Sequence, residues 1–177
     1  MTPNKKILPA LFFILLLLFS IPSTILARPI KYQPQNQYSF LPNENEVKSF
    51  VYSWFSWIDY LSDEKIFTMH LCEENLFIKY NNNDKVITNN NEFTQWYKSF
   101  KDETQSSNTL VSNIEVTKIK DRTAYNVTMD VLYRIKPKNG KFTESAVLQK
   151  WILVVDKGGG LSIEKCIETQ KDKPTSN

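Results

Sequence analysis

The sequence predicts an α+β fold in which three N-terminal helices pack on one face of a curved antiparallel sheet. Three features predict it. Apolar residues recur at helical spacing up to about Lys101, the period changes to two after Ser106-Ser107-Asn108, and each later link is short enough for a hairpin. A chain of 177 residues is one domain's worth at roughly 100 to 200 residues per domain, large enough to bury a real core.

The first element is an address. Asn4-Lys5-Lys6 is a positive start, Ile7 to Phe19 is an apolar run, and Ser20 to Ala27 is more polar and ends in a small residue, the order of a secretory signal peptide cleaved before Arg28. The alternative is an uncleaved inner-membrane anchor over Ile7–Leu26, diluted in its second half by Ser20, Pro22, Ser23 and Thr24. Cleavage makes the protein secreted or periplasmic. The runs Asn81-Asn82-Asn83 and Asn89-Asn90-Asn91 suggest an AT-rich, bacterial genome.

Residues 28–42, with Pro29, Pro34 and Pro42, read as an extended lead-in, and the domain spans 43–168. From Asn43, an N-cap candidate with Glu46 three residues on, Val47, Phe50, Val51, Trp54, Ile58 and Leu61 form the stripe of a helix of about five turns. Ser62-Asp63 caps a short helix through Ile66, Phe67 and His70. Asn75–Tyr80 reads as a strand closed by an Asn81–Asp84 turn. A third helix, capped within Asn89–Asn91, carries Phe93, Trp96, Tyr97 and Phe100. Four strands follow at about Leu110–Ile119, Ala124–Ile135, Glu144–Val155 and Leu161–Ile167, joined as a meander through turns such as Pro137-Lys-Asn-Gly140 and Asp156–Gly160. Residues 169–177 read as a disordered tail.

Alternation turns Tyr125, Val127, Met129, Val131 and Tyr133 toward the helices. The next strand is apolar on both faces, with Val147, Gln149, Trp151 and Leu153 on one and Ala146, Leu148, Ile152 and Val154 on the other. A strand of that kind is covered on both sides, so the outer cover is expected to be the partner of a homodimer.

Val47-x-x-Phe-Val-x-x-Trp54, Phe93-x-x-Trp-Tyr97, Gln149-x-Trp151 and Gly158–Ile163 together resemble the nuclear transport factor 2-like superfamily, close to its SnoaL-type polyketide cyclase branch, over about Glu46–Glu168. The resemblance implies a cone: three helices close one end of a strongly bent sheet around an apolar pocket, often in a homodimer. It also implies where catalytic groups would fall. A donor tyrosine would lie near Phe50, a general-base aspartate near Ile78 or Lys79, and a protonated acid near Trp151, and none of the three matches. Only Tyr97 matches a supporting tyrosine.

Composition narrows the chemistry further. Without Lys5 and Lys6, 20 Lys and Arg face 19 Asp and Glu, which supports no nucleic-acid footprint. One His and two Cys cannot build a four-ligand zinc cage, and no cofactor is expected. Cys72 and Cys166 form either a disulfide or a free thiol pair. His70 is the weak catalytic candidate, as a general base or else a cap or surface residue. Asp130 and Arg134 share a strand face and either bind a charged ligand or form a solvated or dimer-facing pair. Asn126-Val-Thr128 is a glycosylation sequon by pattern only. Phe50, Trp54, Tyr97, Tyr125, Met129, Tyr133, Gln149 and Trp151 are the expected ligand-binding wall, the alternative being plain core. The expected function is therefore binding of a small apolar ligand or a protein partner without catalysis. The alternatives are a lyase, isomerase or cyclase of the same fold, and a membrane-anchored periplasmic component of a type IV secretion-like assembly.

Overall fold

The computed structural model describes residues 41–80 and 86–171. The expected signal peptide, most of the lead-in, the Asn81–Asp84 turn and residues 172–177 lie outside the described residues.

Helix α1 (Glu44–Asp59) starts as its sequence dictates. The Asn43 side chain accepts from the Asn45 and Glu46 amides at 2.9 and 3.1 Å, and the Glu46 carboxylate accepts from the Asn43 amide at 2.7 Å, a reciprocal capping box. Val47, Val51, Trp54, Phe55 and Ile58 form its buried stripe, so Phe55 joins the expected set. The helix stops where Leu61 turns left-handed at φ 49° and the Ser62 amide donates back to the Trp57 carbonyl. Helix α2 (Glu64–Thr68), capped by Asp63, ends before His70, which the sequence pattern places within it. Helix α3 (Asn90–Glu103) is capped by Asn89.

The sheet contains β1 (Phe77–Lys79), β2 (Thr104–Lys118), β3 (Ala124–Pro137), β4 (Thr143–Val155) and β5 (Leu161–Gln170), in the order β1-β5-β4-β3-β2. β2 to β5 form the expected antiparallel meander, and β1 adds a parallel edge on β5. Several boundaries move, and the expected strand Asn75–Tyr80 shortens to Phe77–Lys79. β2 begins at Thr104, directly after α3, so the polar stretch Ser106–Asn108 is strand; β3 runs on to Pro137 and gives it partners. An edge strand can be polar because half of its surface faces water. β5 continues through Thr169 and Gln170, residues expected in the tail, pairing with Leu148 and Val147. Asp156 organises the β4–β5 turn by accepting from the Gly158 and Gly160 amides at 2.7 and 2.9 Å, while Gly159 takes φ 85°.

The core lies between the helices and the inner sheet face. Trp54 sits at its centre, 5.0 Å from Phe67 and 6.0 Å from Trp151 between ring centroids. Tyr125 donates its hydroxyl to the Pro42 carbonyl and Tyr97 donates to the Ser62 carbonyl at 3.0 Å, so each phenol ties a core strand or helix to a chain corner. Among the described residues no helix is long and apolar enough to cross a membrane.

One carboxylate pins α1 to the sheet edge. Asp59 accepts from the Ser107 hydroxyl at 2.8 Å and from the Thr109 amide and hydroxyl at 2.7 and 2.8 Å. An acidic last residue opposes the helix dipole, so these bonds must more than offset that cost. Asp59→Ala is expected to cost about 2 to 3 kcal/mol, since bonds to charged groups contribute roughly that much. Urea unfolding checks it.

Candidate functional site

The bent sheet and the helices leave a cavity of about 320 Å³. α1 supplies Trp54, Phe55 and Ile58, α3 supplies Trp96 and Phe100, and Tyr80 follows β1. From the sheet come Tyr133 on β3, Gln149 and Trp151 on β4, and Cys166 and Glu168 on β5. Ser107, Thr143 and Ser145 add hydroxyls. Rings dominate the wall. Trp151 lies 5.7 Å from Phe55, and Tyr80 stacks on Trp96 at 4.5 Å.

A polar network crosses this aromatic surface. Gln149 is 1% exposed, and an amide so buried must be bonded or cost about 1 to 3 kcal/mol. Its carbonyl accepts from the Trp151 indole N–H at 2.8 Å. Its amino group donates to the Tyr133 hydroxyl at 2.6 Å and to Glu168 Oε2 at 2.8 Å. Tyr133 in turn hydrogen-bonds Glu168, and burial, followed by that carboxylate, pushes its phenol well above the ordinary range, so the neutral hydroxyl donates. Burial likewise raises Tyr80 and the Cys166 thiol, with Glu168 adding to both.

Of the eight residues expected in the wall, Trp54, Tyr133, Gln149 and Trp151 line the cavity. The structure puts the other four elsewhere. Phe50 lies against His70, edge to face at 5.3 Å, while Tyr97, Tyr125 and Met129 are buried core. His70 is not in the cavity wall. Its Nδ1 is 3.1 Å from the Leu161 carbonyl, its ring stacks on Trp57 at 5.2 Å, and its own carbonyl accepts from the Ile163 amide at 2.8 Å, so it fastens the end of α2 to β5. Cys72 and Cys166 are both free thiols: Cys72 feels Glu164 and Arg122, whereas Cys166 faces the cavity. Asp130 and Arg134 do not act together, because Asp130 bonds Lys171 and Asn113 and Arg134 bonds Glu144. Among the described residues no three His, Cys, Asp or Glu side chains group as metal ligands.

The eight residues expected in the wall include no carboxylate, and the structure adds Glu168 to the lining. Strict alternation from Leu161 and Ile163 would turn Lys165 and Ile167 inward. The β4–β5 register shifts between Ile152 and Leu153, where Lys165 and Ile163 are the successive partners, so Cys166 and Glu168 face inward instead.

Gln149→Leu is therefore expected to act on stability more than on ligand preference, the reverse of what the sequence suggests. It strands the Trp151 indole and removes donors from Tyr133 and Glu168, costing about 2 to 4 kcal/mol by chemical denaturation. A second outcome concerns alkali. Burial, with Glu64 and Asp63 adding, pushes Tyr97 up to about 12. A folded value above the ordinary 10 gives stability that is complete below pH 10 and is lost as pH rises toward 12. Tyrosinate absorbance read beside circular dichroism should show that loss, and Tyr97→Phe should reduce it.

No protein-family model and no curated protein matches the sequence. Solved structures do. A nuclear transport factor 2-like superfamily protein from Salmonella enterica serovar Typhimurium superposes with a TM-score of 0.64 at 9% identity, over 75% of this chain and 93% of that one. ActVI-ORFA from Streptomyces coelicolor gives 0.59 at 14% identity, over 72% and 96%. A candidate scytalone dehydratase from Novosphingobium aromaticivorans gives 0.58 at 12% identity, over 74% and 89%. At these identities the likeness is one of architecture, and it bears out the expected class: the chain has the nuclear transport factor 2-like fold, α+β with helices on a curved five-stranded sheet.

Proposed function

We propose that the cavity is a binding site for a small, largely aromatic or apolar molecule. The observation that carries this reading is a space of about 320 Å³, walled by Trp54, Phe55, Trp96 and Trp151 and crossed by one polar network. Ligand sites have this make-up, with volumes of roughly 300 to 1,000 Å³, apolar walls and a few placed polar groups. N-phenyl-1-naphthylamine, a neutral fluorophore, should brighten on mixing with the protein. Ser145→Trp, which fills the cavity from a half-buried strand position, should abolish the signal with the circular dichroism unchanged. Equal brightening in that variant, or none in the wild type, counts against the reading.

The Glu168–Tyr133 pair favours a second reading, acid–base chemistry on a bound ligand, since a carboxylate held beside a phenol in an aromatic cavity can take a proton. Dehydratase naming among the similar structures agrees with it. Turnover of any screened compound that disappears in Glu168→Gln would favour this reading over binding alone.

We also propose export, with the mature chain starting at Arg28, on the strength of the order of charge, apolar run and small residue in the first 27 residues. Intact mass from the native host checks it, and retention of residues 1–27 in a membrane fraction would support the anchored alternative. The homodimer is proposed through the outer sheet face. There Leu110, Leu132 and Ala146 are consecutive register partners across β2, β3 and β4, and Leu110 is 48% exposed. Light scattering should give twice the monomer mass, reduced to one in Leu132→Lys; a wild-type monomer at micromolar concentration contradicts it.

A further inference from the structure

The turn between β3 and β4 projects from the sheet, since every residue from Lys138 to Glu144 is exposed. It is nevertheless held in place. The Lys138 amide donates to the Glu103 carbonyl at 2.8 Å, and Gly140 lies against Pro137, where a Cβ would stand 3.3 Å from the ring. Two kinds of side chain share this tip. Phe142 is 55% exposed, and Lys136, Lys138 and Lys141 are exposed around it. None of the three lysines makes an ion pair among the described residues. The acid within residues 134–144, Glu144, is held by Arg134 at 2.7 Å. The end of α3 brings Asp102 and Glu103 alongside, together with Lys101, which lowers the positive charge of the tip without reversing it.

An aromatic ring in water among unpaired lysines is the make-up of a segment that sits at a lipid–water boundary. The ring enters the headgroup layer, and the ammonium groups meet anionic headgroups. The cavity reaches the same end of the sheet: Ile135 and Thr143, register partners at the base of the turn, both line it, and Thr143 is exposed. We propose that the β3–β4 turn docks on an anionic lipid surface, with Phe142 as the apolar anchor and Lys136, Lys138 and Lys141 as the headgroup contacts. This goes beyond the small-molecule site and does not require it, although a bilayer is where small apolar molecules concentrate. Nucleic acid would engage the lysines and leave Phe142 without a role.

Co-sedimentation of the protein purified from its native host tests it, using vesicles of equal parts phosphatidylglycerol and phosphatidylcholine against vesicles of phosphatidylcholine alone. The wild type should pellet with the anionic vesicles and be released by added salt. Lys141→Ala should weaken that binding roughly fivefold, the contribution of one lysine near an anionic surface. Phe142→Ser should weaken it at least about fivefold through lost apolar burial, whereas Phe142→Trp, which keeps an aromatic anchor, should bind like the wild type. All variants share one N-terminus, so differences among them report the tip and not the first 27 residues. If Phe142→Ser fails to fold, Lys141→Ala still decides. Equal binding to both kinds of vesicle, no binding to either, or folded Lys141→Ala and Phe142→Ser that pellet like the wild type overturns the proposal. Tighter binding of a single-stranded oligonucleotide than of the anionic vesicles overturns it too. N-phenyl-1-naphthylamine brightening, measured without vesicles, is independent of all these outcomes, so the cavity reading stands or falls separately.

Discussion

A side-chain amide placed on the inner face of a central strand must have its hydrogen bonds made for it, and the need to satisfy Gln149 organises this structure. Gln149 and Glu168 are direct partners across β4 and β5, so their bond also reports the register of those strands. The bond to Tyr133 brings in β3, and the Trp151 indole closes the set along β4. Trp151 is thereby held at the angle from which it packs on Trp54 and Phe55 of α1. The same side chains then wall the cavity. One buried polar group thus couples sheet register, helix packing and the surface offered to a ligand, because leaving any member unpaired in that setting costs more than its bond contributes.

Much of the fold was legible because it follows from short-range rules. Asn43 and Glu46 announce the start of α1 by a capping chemistry that needs no tertiary partner, and the Val47, Val51, Trp54, Ile58 stripe can face only one way. The alternation of β3 and of β4 was equally readable, and Val127, Met129, Val131, Val147 and Leu153 are buried as it requires. What escaped depends on pairing between distant segments. The parallel docking of the three-residue β1 on β5 leaves no local mark, and neither does the early start of the polar edge strand β2.

The site was half legible for a related reason. Alternation tells which face a residue occupies but not how far along the sheet the cavity lies. Tyr125 and Tyr133 share the inner face of β3, yet eight residues of strand separate them by about 27 Å, and the cavity lies at the Tyr133 end. Phe50 sits at the margin of the α1 stripe and turns to His70 instead. Glu168 escaped because a register shift in β5 reverses the faces beyond Ile163, and no pattern of residues predicts a bulge there. The chemistry of the site therefore became visible only with the register, while the fold alone, shared by structures named as a dehydratase and as a ring hydroxylase, leaves it open.

The claim that Gln149 and its neighbours have committed their hydrogens within the wall can be read directly by amide and indole proton exchange in nuclear magnetic resonance spectra of the free protein. The account predicts that the Gln149 side-chain amino protons and the Trp151 indole proton are resolved and exchange with solvent far more slowly than the side-chain amide protons of the exposed Asn108. Exchange of the Gln149 protons at the rate of such an exposed amide would mean that the network is open to water, and would contradict the account of the site built on it.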